Sequence, residues 1–354
     1  METISRQTTV AGPTPAGEGR PPRGPEQHEA APRSPFSALA GALRGRPEVW
    51  AFFFLVVLCV GMGIANSHFA TSTNFQTVGR QSSILVVLSI GILFVLLVGG
   101  IDLSVGGSIA FISCLAAKLS GSTDLYLAFA LAVLAAVGIG LLNGLLVSLG
   151  GLSPIVVTLA IGQVLVGVAL LLTVNGPILP SNLDYGELAA SEVAGIPTLV
   201  IAAIVCAIVG HLLLRRVSLG RYIYAVGGNE HAAWLAGVPT RLVKVAAYVI
   251  AGLFAGLAAV LLSSRVGSGD SSLGQTEMLE AYAAAFIGGV GFGTGRGSVV
   301  GVALGAVILG VISNGIDLIG LNTDYQYIVS GTLIVLAITF QALPEKVRWG
   351  RGRG

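Results

Sequence analysis

Long apolar runs follow one another along almost the whole chain, and they constrain its fold more than any other feature. We place ten runs near residues 49–65, 83–98, 105–119, 125–149, 155–174, 196–214, 245–262, 278–290, 299–312 and 327–340. A helix needs about 20 apolar residues to cross a bilayer, and several of these runs are shorter. Only helices and closed barrels satisfy the backbone in lipid. The pattern therefore predicts an all-α polytopic membrane bundle of about ten transmembrane segments, some of them broken or re-entrant.

Composition excludes several other classes of protein. Charged residues make up only 10% of the 354 residues, whereas a soluble domain carries roughly 25%. A net charge of +2 is too small to indicate a nucleic-acid partner. The three cysteines lie inside apolar runs without metal or redox spacing, and the four histidines are scattered. We therefore predict no metal site and no catalytic residues.

The basic residues indicate how the chain is oriented. If the N-terminus lies inside and the chain crosses ten times, all but three of the 19 Lys and Arg residues fall on the cytoplasmic side. The exceptions are Arg80, Lys118 and Arg265. Loops rich in Lys and Arg stay in the cytoplasm, so both termini are predicted to be cytoplasmic.

The same patterns divide the chain into three parts. Residues 1–46 are rich in Pro, Gly and Arg and are predicted to be a disordered cytoplasmic tail, with no cleavable signal peptide before the first span. Residues 47–343 form the transmembrane domain, and residues 344–354 form a basic cytoplasmic tail.

One long polar segment, residues 215–244, interrupts the apolar runs and is rich in positive charge. Asn229 is suited to cap a short helix from Glu230 to Ala236, and Gly237 and Pro239 end it. A short capped helix between two spans is either a docking surface or an ordinary connecting loop, and the residues alone do not separate these interpretations.

Two glycine-rich segments interrupt the apolar pattern. GGIDLSVGG, residues 99–107, places Asp102 and Ser104 within apolar sequence, and a carboxylate there should face protein, water or a helix end. Asp102 either caps the next helix or contacts substrate. GGVGFGTGRGS, residues 288–298, does not match a phosphate-binding loop, because no Lys followed by Ser or Thr stands at the right spacing. It is predicted to be a flexible cytoplasmic turn.

Other polar residues in the spans are mostly uncharged. They either line a route for a hydroxyl-rich solute or form hydrogen bonds between helices. The candidates for the translocation pathway are Asp102, Ser104, Asn143, Thr158, Gln163 and Asn314. Two pairs of glycines four residues apart are predicted to allow close helix packing, with a subunit interface as one option. They are Gly252 with Gly256 and Gly301 with Gly305.

Four segments together resemble a known family. They are GGIDLSVGGSIA, NGLLVSLGGLSPIVVTLA, GRYIYAVGGNEHAAWLAGV and IGGVGFGTGRGSVVGVALGAVILGVISNG. In this order, the chain from about residue 83 to 340 is similar to the ribose/xylose/arabinose/galactoside permeases of bacterial ABC importers. The proline-rich N-terminal extension lies outside the resemblance.

The resemblance implies a permease subunit in the bacterial inner (cytoplasmic) membrane, in contact with lipid. An extracytoplasmic sugar-binding protein would deliver the solute, a second permease copy or paralogue would complete the pathway, and cytoplasmic ABC ATPase subunits would drive it. ATP and Mg²⁺ would bind those ATPases, and this chain would bind no cofactor and catalyse no reaction. The segment 215–244 would be the coupling loop, with its contacts at Gly228, Asn229, Glu230, Ala232, Ala233 and Gly237.

Two alternative classes of transporter are weighed against this interpretation. An ion-coupled secondary transporter needs buried carboxylates, and Asp102 is the only clear one. An ABC permease for another small solute, such as a branched-chain amino acid or a nucleoside, is closer, although GGIDLSVGG resembles the sugar permeases.

Overall fold

The computed structural model describes residues 47–321, together with Gly12 and scattered residues between 325 and 339. The α-helices of this part are α1 Pro47–Ala65, α2 Ser72–Leu97, α3 Val105–Leu119, α4 Leu125–Gly144, α5 Pro154–Leu172, α6 Glu187–Ala190, α7 Thr198–Arg215, α8 Ser218–Gly228, α9 Glu230–Leu235, α10 Thr240–Val266, α11 Gln275–Ile287 and α12 Val299–Leu318. A π-helical turn, Leu145–Leu149, extends α4, and a 3-10 turn, Leu183–Gly186, precedes α6. Strands β1 (Glu192–Val193) and β2 (Ile196–Pro197) form a small antiparallel hairpin.

Seven helices in the described part of the chain are long and apolar enough to cross a membrane: α1, α2, α4 with its π-helical turn, α5, α7, α10 and α12. Between them stand two shorter helices, α3 with 15 residues and α11 with 13. The prediction of an all-α membrane bundle is thus confirmed. The number of ten spans stays a prediction, because the run 327–340 and both tails lie outside the fully described residues.

Helix α2 forms the centre of the bundle. Every residue from 82 to 98 is buried, and from residue 84 onward this part of the helix is apolar on all faces apart from Ser89, as expected of an enclosed helix. Helices α10, α12, α7 and α11 pack along it. In contrast, most residues of α1, α5 and α7 are not buried, and their apolar side chains contribute to the outside of the bundle, which is the surface that lipid covers.

Glycines let α10 approach α4 closely. A methyl group added at Gly252 would lie 2.5 Å from the carbonyl oxygen of Ala136, and one added at Gly256 would lie 2.7 Å from Cβ of Ala136. Gly305 likewise packs on the backbone of Ala284, which brings α12 against α11. The predicted role of these glycines in packing is therefore confirmed, and the contacts that they make here are within one chain.

The loops gather at two ends of the bundle. At one end, called the hairpin end, Arg80 at the start of α2 forms an ion pair of 2.8 Å with Glu192 of β1. At the other, called the α9 end, the Ser298 hydroxyl before α12 donates to the Glu48 carboxylate at the start of α1 over 2.7 Å.

Two predicted boundaries are wrong. Helix α2 begins at Ser72 rather than near residue 83, because Thr71 caps it and its first turns carry polar residues that an apolar run excludes. Residues 215–244 are not one loop with a single helix. They also contain α8, a short amphipathic helix that has too few apolar residues to stand out as an apolar run in the sequence. In addition, Arg241 and Lys244 belong to the first turns of α10.

Candidate coupling surface and buried polar site

Local hydrogen bonds define both ends of helix α9. Asn229 caps its start, since the side-chain oxygen accepts a hydrogen bond from the N–H of Ala232 over 2.9 Å. Gly237 ends it in a left-handed conformation with φ of 83°, and the N–H of Val238 bonds back to the carbonyl of Ala233 over 3.0 Å. The predicted cap and stop are both present.

The exposed side of α9 differs from the predicted one. Ala233 is buried against the protein, whereas Trp234 and Leu235 are 60% and 68% exposed. Glu230 is already paired within the chain, because both of its carboxylate oxygens lie within 2.7 Å of the Lys244 ammonium. The candidate docking surface is therefore an apolar projection around Trp234, with Gly228, Asn229, Ala232 and Gly237 exposed beside it.

Helix α8 connects this projection to the bundle. Ile223 and Val226 bury its apolar face. The Tyr224 hydroxyl donates to the carbonyl of Gly297 over 2.9 Å, and burial raises the pKa of Tyr224, which keeps that donor protonated. The backbone of Gly227 contacts the end of α2 and the glycine-rich turn at Gly295.

The glycine-rich turn, residues 288–298, is held by hydrogen bonds, and its predicted flexibility stays a prediction. It is closed by a bridge between Gly291 and Arg296, and its Gly293 N–H donates to the carbonyl of Leu96 at the end of α2 over 3.2 Å. Together these contacts link α9 through α8 to the central helix of the bundle.

A buried polar cluster lies at the break between α2 and α3. Its carboxylate, Asp102, accepts hydrogen bonds from the N–H and the hydroxyl of Ser104 over 3.0 and 2.6 Å. Asn143 of α4 donates to that hydroxyl over 2.7 Å. All three residues are at most 3% exposed. Both hydrogen bonds come from Ser104, the residue before α3, and neither comes from an N–H group within α3. Asp102 therefore orders the turn and does not cap α3, so the predicted cap is wrong.

Neighbouring helices hold the backbone of the same break. The N–H of Leu103 donates to Thr158 of α5 over 3.0 Å, and the Tyr248 hydroxyl of α10 donates to Ile101 over 3.1 Å. The Tyr282 hydroxyl of α11 accepts from the N–H of Asp102 and donates to its carbonyl, at 2.9 and 3.0 Å. Side chains from α5, α10 and α11 thus satisfy a backbone that has left helical geometry.

The sequence missed both tyrosines. A tyrosine within an otherwise apolar run is the signal that identifies them, because a buried phenol needs a hydrogen-bond partner. No Lys, Arg or His of the described residues forms an ion pair with Asp102. The cluster offers a solute neutral hydroxyl and amide groups and one carboxylate.

The remaining two pathway candidates lie elsewhere. Gln163 is exposed on α5. Asn314 of α12 forms two reciprocal amide hydrogen bonds of 3.0 and 2.8 Å with Asn74 of α2, and it is buried. The structure therefore brings four of the six candidates together at the break, while Asn314 joins two helices near the hairpin end.

An apolar helical bundle with a broken, hydrogen-bonded centre and an apolar projection at one end has the features of an integral membrane protein. Comparison with known proteins gives the family. Residues 74–338 match the family described as the permease component of the branched-chain amino acid transport system, and the chain belongs to that family. Its members are multi-pass proteins of the inner membrane. No solved structure matches the chain.

Several curated relatives are named for the transport of a sugar. The chain is 34% identical over 298 residues to the D-allose transport system permease protein AlsC of Escherichia coli, which covers 83% of this chain and 91% of that protein. It is 36% identical over 290 residues to the ribose import permease RbsC of Bacillus subtilis, at 81% and 90% coverage. It is 31% identical over 315 residues to the L-arabinose permease AraH of Azospirillum brasilense, at 87% and 93% coverage.

Proposed function

We propose that this chain is the transmembrane permease subunit of an ABC importer for a monosaccharide or a related polyol. The observation that carries the proposal is the combination of relatives named for allose, ribose and arabinose transport with the projection on α9. The relatives cover more than four-fifths of the chain, so the proposal concerns the whole transmembrane domain.

In this proposal the α9 end of the bundle faces the cytoplasm. The basic residues of segment 215–244 are grouped at that end, and the chain crosses the membrane ten times with both termini inside. Trp234 and Leu235 then point away from the membrane, toward an ABC ATPase. A buried aromatic anchor is the residue type that most often dominates an interface.

The geometry suggests how movement of the ATPase reaches the pathway. A displacement of α9 moves α8, because the two helices are consecutive and pack on each other, and the pair of Glu230 with Lys244 joins α9 to the start of α10 as well. Helix α8 in turn contacts the end of α2 at Leu97 and the glycine-rich turn. The end of α2 leads within a few residues to the hydrogen-bonded break at Asp102. A rigid-body shift of this unit is therefore coupled to the place where the helix is interrupted.

In this proposal the energy for transport comes from other subunits and not from this chain. ATP and Mg²⁺ bind partner ATPase subunits, an extracytoplasmic binding protein delivers the solute, and a second permease copy or a paralogue completes the pathway. The polar side chains at the break are hydroxyls, one amide and the carboxylate of Asp102, which can form hydrogen bonds with the hydroxyl groups of a polyol. An amino acid carries an ammonium and a carboxylate and needs a charged partner for each, and no Lys, Arg or His of the described residues pairs with Asp102 to supply the positive partner there.

Reconstitution tests the proposal. The permease is placed in vesicles with the ATPase and the soluble binding protein that co-purify with it, and uptake of radiolabelled pentoses and hexoses is followed. We expect uptake that requires ATP and both partner proteins. Uptake by the permease alone under an ion gradient would identify a secondary transporter and contradict the proposal, and uptake of leucine but of no sugar would contradict the substrate class.

A further inference from the structure

The loop between α5 and α7, residues 173–197, is held firmly at the hairpin end. We call it the capping loop. Its Tyr185 is 1% exposed, packs edge-on against Phe129 of α4 and donates its hydroxyl to Ser263 of α10 over 2.8 Å. Burial raises the pKa of Tyr185 to about 12, so this donor is protonated at physiological pH. Ser264 donates back to the carbonyl of Tyr185 over 2.8 Å.

Further contacts hold both flanks of the capping loop. Arg80 of α2 donates to the carbonyl of Ala189 and pairs with Glu192. On the other flank, Ile178 exchanges two backbone hydrogen bonds of 2.8 and 2.9 Å with Gly269. The loop is thus attached to α2, to α10 and to the segment between α10 and α11, and its backbone does not need ordering when a partner arrives.

The same loop exposes large apolar side chains. Leu183 is 97% exposed, Leu179 is 77% exposed and Val193 is 58% exposed. They stand beside Asp184 and Glu187, both of which are exposed. Residues 173–197 contain three acidic residues and no Lys or Arg. The surface therefore combines apolar contact area with negative charge on a preorganised backbone.

Insertion of this surface into the lipid headgroup region does not fit its charge. Segments that lie on membranes carry Lys and Arg around their apolar residues, because lipid surfaces are negative. Here the loop itself carries no Lys or Arg: Arg80 of α2 is paired with Glu192, and Asp184 and Glu187 are exposed acidic residues beside Leu183. A protein with an apolar depression and a basic rim matches both features, since complementary charge increases the rate of encounter and apolar contacts slow dissociation.

We propose that the capping loop is the docking surface for the soluble, solute-delivering binding protein, and that this partner presents basic residues around an apolar site for Leu183. This inference rests on the proposed function, which places the hairpin end outside the cytoplasm. It adds the residues of contact and the sign of the charge on the partner.

The test measures how much binding protein is needed for half-maximal stimulation of ATP hydrolysis by the reconstituted transporter. We expect Leu183→Asp to raise that concentration about tenfold, and the double neutralisation Asp184→Asn with Glu187→Gln to raise it about threefold at low salt. The effect of the double variant should fade at about 0.5 M salt. Asp317→Asn, which neutralises a carboxylate on α12 at the same end, is the matched control and should leave the concentration unchanged.

The outcomes separate this inference from the proposed function. If the wild-type transporter shows no stimulation by the binding protein, the proposed function fails. If the wild type is stimulated and the three capping-loop substitutions leave the half-maximal concentration unchanged, the docking surface is elsewhere. Disulfide cross-linking of two Leu183→Cys permeases would place a second copy on the surface, and a loss of membrane insertion in Leu183→Asp would place lipid there. Either result would overturn the proposal.

Discussion

Replacement of Asp102 by leucine should damage the centre of the bundle, whereas replacement by asparagine should be tolerated. The carboxylate accepts hydrogen bonds from the N–H and the hydroxyl of Ser104 at 3.0 and 2.6 Å, and from Asn143 at a longer 3.4 Å. Asp102→Leu leaves the two buried donors of Ser104 without this acceptor, at about 1–3 kcal/mol each, whereas Asn143 keeps its hydrogen bond to the Ser104 hydroxyl. We therefore expect a loss of about 2–6 kcal/mol.

Asparagine at the same position keeps an oxygen for both Ser104 donors. It loses the stronger hydrogen bonds of a charged acceptor, about 1 kcal/mol each, but it also removes a buried charge that has no ion-pair partner among the described residues. The net effect should be small. The comparison of Leu with Asn therefore separates the hydrogen-bonding role of the side chain from any role of its charge.

The assay is thermal unfolding of the detergent-solubilised permease, followed by ATP-driven uptake in vesicles. Asp102→Leu should lower the Tm by on the order of 5–15 °C and reduce uptake, while Asp102→Asn should stay within a few degrees of wild type. Gln163→Leu, on the exposed side of α5, is the control and should leave both quantities unchanged. An Asp102→Leu permease with the stability and uptake of the wild type would refute the reasoning.

Three further predictions follow from the packing. Trp234→Ala should reduce ATP-driven uptake at least tenfold with a nearly unchanged Tm, because the side chain is 60% exposed and its ring stacks on His231 of the same short helix; unchanged uptake would exclude it from coupling. Gly252→Ala should lower the Tm, because the new methyl group would lie 2.5 Å from a backbone oxygen of α4. The control Gly138→Ala should leave the Tm unchanged, because a methyl group there has nothing within 4 Å. Equal effects of the two substitutions would contradict this packing. Asn74→Leu should lower the free energy of unfolding by about 1–3 kcal/mol, because it leaves Asn314 without its amide partner. The double variant with Asn314→Leu should recover part of the loss of Tm. If the losses of the two single variants simply add, the result argues against the amide pair.

The sequence predicts the helical bundle well, because lipid leaves few options for the backbone. The cap at Asn229 and the stop at Gly237 were predictable for a similar reason, since both depend on local backbone geometry. The close packing at Gly252 also follows from spacing alone. These features depend on residues that are near one another in the chain.

The features that the sequence did not predict depend on contacts between distant segments. Tyr248 and Tyr282 reach the break at Asp102 across 147 and 180 residues of sequence. The burial of Ala233 depends on the helices that pack around α9. No pattern in one segment indicates which partner a buried polar group will find in another, so Gln163 and Asn314 were grouped with residues that they do not meet.

The enclosure of α2 has a consequence for how the protein is made. The helix is synthesised early, yet α10 and α12, which cover much of its surface, are not complete until residues 266 and 318 have been translated. Until then its future contact faces must be shielded by lipid or by the insertion machinery. Chains truncated before α12 should therefore enter the membrane but remain unassembled, and they should be degraded faster than the full-length protein.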